Sequence, residues 1–396
     1  MRRRSRRPLV AALLVAVAAT LAACGTSPPP VSGTARSASP TDLRGVCPDP
    51  VVIQTAWYPE AARAIWYHLL GQGPTIDADH KRVTGRLLAT TGTGPIRKQV
   101  DTGVRLELRA GGPAVGFQQD SALLYLHKEI MAAEVSTDEA IQNAATQPTV
   151  ATVTLLDLDP LVLLWSASAH PGFHTIGDVG QTDTRVLYFQ SNPYMEYLVG
   201  AGILRRSQVD GTYDGSPSRF VASGGQLVQQ GYVTNEPYLY AHELRQWHGT
   251  IRYQLLNDTG YPNYTRATLA VRAADKQRLA PCLKRLVPIL QRATVDYMAH
   301  PEATNQLLLT LDRAYKSGLQ LSPGLLAWGH QVMAREGLVG DGTDHTVGDF
   351  DLGRVQRMID IVNPILQGQK KRTKPGLKPA DIVTNEFIDP TISLTP

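Results

Sequence analysis

Between residues 185 and 247 the chain alternates short β-branched or apolar runs with helix-like stretches, an order that few architectures accept. Residues 185–189, 209–213 and 227–233 read as strands. Residues 193–199, 217–222 and 237–247 read as helices, each opened by a proline that suits a first helical turn. Such alternation implies a parallel or mixed sheet covered by helices on both faces. An earlier stretch repeats the pattern, with a strand at 51–55, a helix at 59–70 whose Ala62, Ile65, Trp66 and Leu69 share one face, a strand at 104–108 and a short helix at 138–145.

Two places mark a change of lobe. The apolar run 150–165 is interrupted by Asp157, Asp159 and Pro160, which reads as two strands joined at a proline rather than as one helix. Gly260-Tyr261-Pro262-Asn263, just ahead of a strand at 268–272, marks the return. Helices at 275–298, 301–315, 323–336 and 352–366 complete the body. No Pro/Gly/Ser-rich linker follows residue 41, so two independent domains in series are disfavoured. The expected fold class is α/β, with two lobes, a hinge and a ligand cleft. Lobe 1 is formed by 47–158 and 263–366, and lobe 2 by 159–262. The polar, Gly/Thr-rich stretch 71–100 is expected to be an irregular insertion, and 367–396 a C-terminal extension along the surface.

The first 23 residues read as an address. Arg2, Arg3, Arg4, Arg6 and Arg7 precede an apolar run of Ala, Val and Leu too short to span a bilayer, as in a signal peptide. The run ends in Leu21-Ala22-Ala23-Cys24-Gly25, which resembles a bacterial lipobox with Cys24 as the lipidated residue; an ordinary secretory cleavage near Ala23 is the alternative. Residues 24–46 are rich in Ser, Pro, Thr, Gly and Ala and are expected to act as a flexible tether. The body is then expected outside the cytoplasmic membrane, held by acyl chains.

The net charge is +4, but five of the positive charges lie in the first seven residues, which leaves the rest at −1. A nearly neutral body argues against nucleic acid as a partner. The basic stretch 370–378 is more simply a solvated tail. Cys47 and Cys282 remain in the body. In an oxidising exterior a disulfide between them is expected, with separate buried thiols as the alternative. No paired Cys or His spacing suggests a metal site, and Pro171-Gly172 breaks any helix that would align His170 with His174.

Several stretches resemble one family. These are Gln54-Thr55-Ala56-Trp57-Tyr58-Pro59-Glu60, Tyr197-Leu198-Val199-Gly200-Ala201-Gly202-Ile203-Leu204, Val209-Asp210-Gly211-Thr212-Tyr213-Asp214-Gly215-Ser216-Pro217, and Gln229-Gln230-Gly231-Tyr232 followed by Glu236-Pro237-Tyr238-Leu239-Tyr240. They are similar to the ABC-transporter substrate-binding proteins of the thiamine-pyrimidine-precursor, nitrate and alkanesulfonate group, over roughly residues 50 to 365. The resemblance implies a type II periplasmic-binding-protein fold, a monomer that closes on a small molecule, and a permease and ATPase as partners. It implies no cofactor and no catalysis, and it leaves the ligand open between a heterocycle, such as a pyrimidine or flavin precursor, and a small anion. Two departures stand out: Ala56 rather than an acidic residue precedes Trp57, and the cysteine-rich motif of the related pyrimidine synthases is absent.

Ligands of open α/β sheets sit beyond the carboxyl ends of the strands, so the loops there supply the candidates. Trp57 and Tyr58 offer flat faces for stacking, or else pack beneath the first helix. Ser191, Asn192 and Tyr194 open a helix, whose free N–H groups suit an anion and whose Ser or Asn is also a favoured cap. Asp214 and Ser216 precede another helix and are open to the same two readings. Glu236 would accept bonds from an amino-substituted ring or answer a helix dipole, with Tyr238 beside it. Gln118, after Gly111-Gly112-Pro113, supplies an amide. Asp157 and Asp159 read as hinge and turn residues. The alternatives to a transport role are an enzyme on the same scaffold, for which no nucleophile elbow, metal cluster or phosphate loop speaks, and an exported ligand-sensing subunit.

Overall fold

The computed structural model describes residues 39–190, 192–247, 249–264 and 267–394. The leader, Cys24 and Ser191 lie outside them. Twelve strands are seen among the described residues, in chain order β1 (Val51–Gln54), β2 (Thr75–Asp77), β3 (Arg82–Thr91), β4 (Lys98–Arg109), β5 (Ala132–Glu134), β6 (Thr149–Thr154), β7 (Leu161–Ser166), β8 (Val186–Leu187), β9 (Val209–Asp210), β10 (Val228–Tyr232), β11 (Ile251–Leu255) and β12 (Thr268–Arg272).

They form two sheets. The first runs β2-β3-β4-β1-β5-β12-β6 and the second β11-β7-β10-β8-β9. β1 lies between β4 and β5, parallel to both, and its Val51, Val52 and Ile53 are all buried, as a central strand covered on both faces requires. In the second sheet β10 and β8 run parallel while β7 is antiparallel to β10 and β11. The chain leaves the first sheet after β6 and re-enters it at β12. The junction is pinned by Arg354, which pairs with Asp157 at 3.1 Å and donates to the carbonyls of Pro262 and Asn263 at 2.8 and 2.7 Å.

The helix Lys276–Ala299 buries Leu279, Leu283, Leu286, Leu290 and Ala293 at three- and four-residue spacing. Its Cys282 is disulfide-bonded to Cys47, joining positions 235 residues apart and tying the start of the body to the returning chain. Leu43, within the expected tether, is already buried, with its amide donating to Thr102.

Three expectations need correction. The stretch 71–100 is not irregular: it contains β2 and β3, and β3 pairs with β4 as a long antiparallel hairpin. Its Thr and Val content favours strand, and the glycine that obscured it, Gly85, sits where a Cβ would press within 3.1 Å of Pro74. The strands expected at 185–189 and 209–213 are only the two-residue β8 and β9. The segment after 367 does not simply lie on the surface, since Leu377, Ile382, Val383, Phe387 and Ile392 are buried and Val383 bridges to Ala151 beside β6.

Candidate functional site

A cavity of about 680 Å³ lies between the lobes, a size suited to a small molecule. Its walls are the segments that follow β1, β4 and β5 in one lobe and β8, β9 and β10 in the other, with residues 318–321 closing one side. These are the carboxyl ends of the strands, where open α/β sheets hold ligands.

One wall is aromatic. Trp57 lies 5.9 Å from Phe117 and 5.8 Å from Phe189 between ring centroids, and Phe189 lies 4.9 Å from Tyr213. Trp57 and Phe117 belong to the first lobe and Phe189 and Tyr213 to the second, so the rings meet across the cleft. Phe117 is 53% exposed and has φ +58, an unusual outlay of apolar surface and backbone freedom. Trp57 holds its place because Gly112 has no side chain: a Cβ there would stand 2.2 Å from the indole, and φ is +58.

The lining also carries charge. Arg63, 4% exposed, is shared between two buried carboxylates, with Nη1 donating to Glu60 and Nε to Glu134 Oε2 at 3.1 Å. Glu134 also accepts from the amide of Ala56 and from Trp66 Nε1. The guanidinium lies over the ring of Tyr232 at 5.7 Å. Burial pushes both Glu60 and Glu134 above the usual carboxylate range against the pull of Arg63. Glu236 accepts the Tyr232 amide at 2.7 Å, and burial, joined by repulsion from Glu60, pushes it up to about 7. At the crossing, Asp159 accepts from Leu161 N at 3.1 Å and Asn263 Nδ2 at 3.0 Å, while Asp138 accepts from Ser136 and from Tyr261 Oη at 3.0 Å.

Of the residues expected at the site, Trp57, Gln118, Asn192, Tyr194, Asp214 and Glu236 line the cavity. Asn192 makes no side-chain capping bond. Tyr194 is buried and donates to Gln230 Oε1 at 2.8 Å. Asp214, at the exposed rim, accepts from the amide of Ser216 at 2.9 Å. Three fall outside the lining. Tyr58 is buried behind it, Ser216 accepts from the Ser218 amide, and Tyr238 packs against His242 and Trp328 with centroids at 4.5 and 6.1 Å. Glu60, Arg63, Phe117, Phe189 and Asn235 line the cavity without having been expected. Only Phe117 left a usable trace, as a large apolar residue among the glycines and glutamines of 111–119.

No family model matches the chain, and no curated protein matches it in sequence. Solved structures do. The alkanesulfonate-binding protein SsuA from Xanthomonas axonopodis pv. citri, bound to MOPS, superposes with a TM-score of 0.51 at 11% identity, covering 85% of this chain and 100% of its own. A protein from Bordetella bronchiseptica RB50 gives 0.52 at 12% identity, with 86% and 96% covered. The fold is the type II periplasmic-binding-protein fold. An ABC transporter structure from Parabacteroides distasonis gives 0.48 at 13% identity, covering 86% of this chain and 99% of its own. Within that fold, the cavity of this chain occupies the cleft between the two lobes.

Proposed function

We propose that this chain is the solute-capturing component of an ABC importer, which holds a small molecule between its lobes and passes it on unaltered to a permease and ATPase. The observation that carries the reading is the cavity itself, of about 680 Å³, with aromatic and polar side chains contributed by both lobes. A ligand touching both halves favours the closed arrangement by its differential contacts, which is the physical basis of capture by closure. Outside the membrane, the protein would be held by acyl chains on Cys24, and the sequence ahead of the body supports that placement. The Cys47–Cys282 disulfide accords with an oxidising compartment.

Small-angle scattering of the purified protein with and without candidate solutes, paired with melting curves, tests the reading. Compaction together with a raised melting temperature is the expected result. If a broad set of solutes produces neither, the transport role loses its basis.

A further inference from the structure

The charge of the cleft selects among ligand classes, an inference that rests on the solute-capture reading above. Arg63 is the buried cation among the described lining residues, and it is shared between two carboxyl groups, Glu60 in the lining and Glu134 behind it, so it is not free for a ligand. Asp138 and Glu236 also line the cavity, and neither forms an ion pair among the described residues. Their hydrogen bonds come from neutral donors, Ser136, Tyr261 Oη and the Glu139 amide for Asp138, and the Tyr232 amide for Glu236. Near these carboxylates a sulfonate or nitrate would find Arg63 already taken by Glu60 and Glu134, and the other lining cation, Lys371, is itself exposed to solvent.

A second observation points the same way. Asn235 lines the cavity, is 9% exposed and donates Nδ2 to Glu60, while its Oδ1 meets no donor among the described residues. That oxygen is sealed from solvent in this arrangement, so a ligand N–H reaches it only when the side chain or the lobes shift. Trp57, Phe189 and Tyr213 line the same cavity, and aromatic ring faces attract cations and stack on flat groups.

We infer that the cleft takes a small organic cation, an ammonium or amidinium group carried on a flat ring, in preference to an anion. The cationic group sits among Glu60, Asp138, Asn235 and Glu236, and the ring against the aromatic wall.

Three probes that share one ring and differ in charge test this by calorimetry: tryptamine, tryptophol and indole-3-acetate. The expected order is tryptamine tightest, tryptophol weaker by about ten-fold or more, and indole-3-acetate weakest. Glu236→Gln and Asp138→Asn are each expected to narrow the tryptamine-to-tryptophol ratio. Indole-3-acetate binding as tightly as tryptamine, or an unchanged ratio in both variants, overturns the cation assignment and leaves solute capture standing. No binding by any of the three, together with no compaction by any solute in scattering, removes both.

Discussion

Asn235 of the second lobe donates its side-chain amide to the carboxylate of Glu60 in the first. The two residues are 175 positions apart, and both are buried. Since Glu60 also holds Arg63, and Arg63 lies over Tyr232, one short run of contacts spans the cleft beside the ligand cavity.

Removing this donor leaves a buried carboxylate with one partner fewer. Asn235→Ala is therefore expected to destabilise the chain by roughly 1–3 kcal/mol. It is also expected to enlarge the radius of gyration of the ligand-free protein, because the bond joins the lobes. Urea unfolding and small-angle scattering measure the two effects, and an unchanged midpoint with unchanged dimensions contradicts the latch.

Gly112, in the cavity lining, leaves room for the indole. A Cβ would overlap the Trp57 ring, and the residue sits at φ +58, where a side chain is strained in any case. Gly112→Ala is expected to weaken binding of an aromatic ligand about as much as Trp57→Ala does, by roughly 10–100-fold, since a buried aromatic anchor carries about 2 kcal/mol or more. Titration of both variants with one ligand checks the equivalence. Full binding by Gly112→Ala would show that Trp57 is placed by something else.

Glu236 gives the cleft a pH dependence. Burial pushes it up to about 7 from an ordinary 4.5, so the folded chain retains a proton that the unfolded chain releases between those values. Stability from this group is fully present below about 4.5 and is lost as pH rises through about 7. Glu236→Gln has no such proton to lose. Its melting temperature relative to the parent protein is expected to rise from about pH 5 to about pH 8. A difference that stays flat across that range would mean that Glu236 does not titrate there.

The parts of this fold that repeat were legible. Alternating strand and helix between 185 and 247 named an α/β sheet, and Asp159-Pro160 marked the place where β6 gives way to β7. The β3–β4 hairpin was hidden because Thr and Gly dilute the apolar signal of Val83, Leu87 and Ala89, which are buried. The cavity lining was legible where a loop follows a strand, as at Trp57 and Glu236. The Glu60, Arg63 and Glu134 group was not, because Glu134 reaches Arg63 from 71 positions away and the pairing exists only once β1 and β5 lie side by side. Tyr58 and Tyr238 misled for the opposite reason. Each adjoins a residue of the cavity in sequence, yet each points its ring into packing, Tyr238 against the helix Pro323–Arg335 through Trp328.

Recovery of a ligand from the protein itself bears most directly on capture without chemistry. Full-length protein drawn from its native membrane in mild detergent would be denatured, the released compound identified by mass spectrometry, and that compound dialysed back into emptied protein and recovered again. One small molecule per chain, returned with its mass unchanged, is the predicted result. A compound that comes back altered, or a cleft that carries and retains none, would contradict the account.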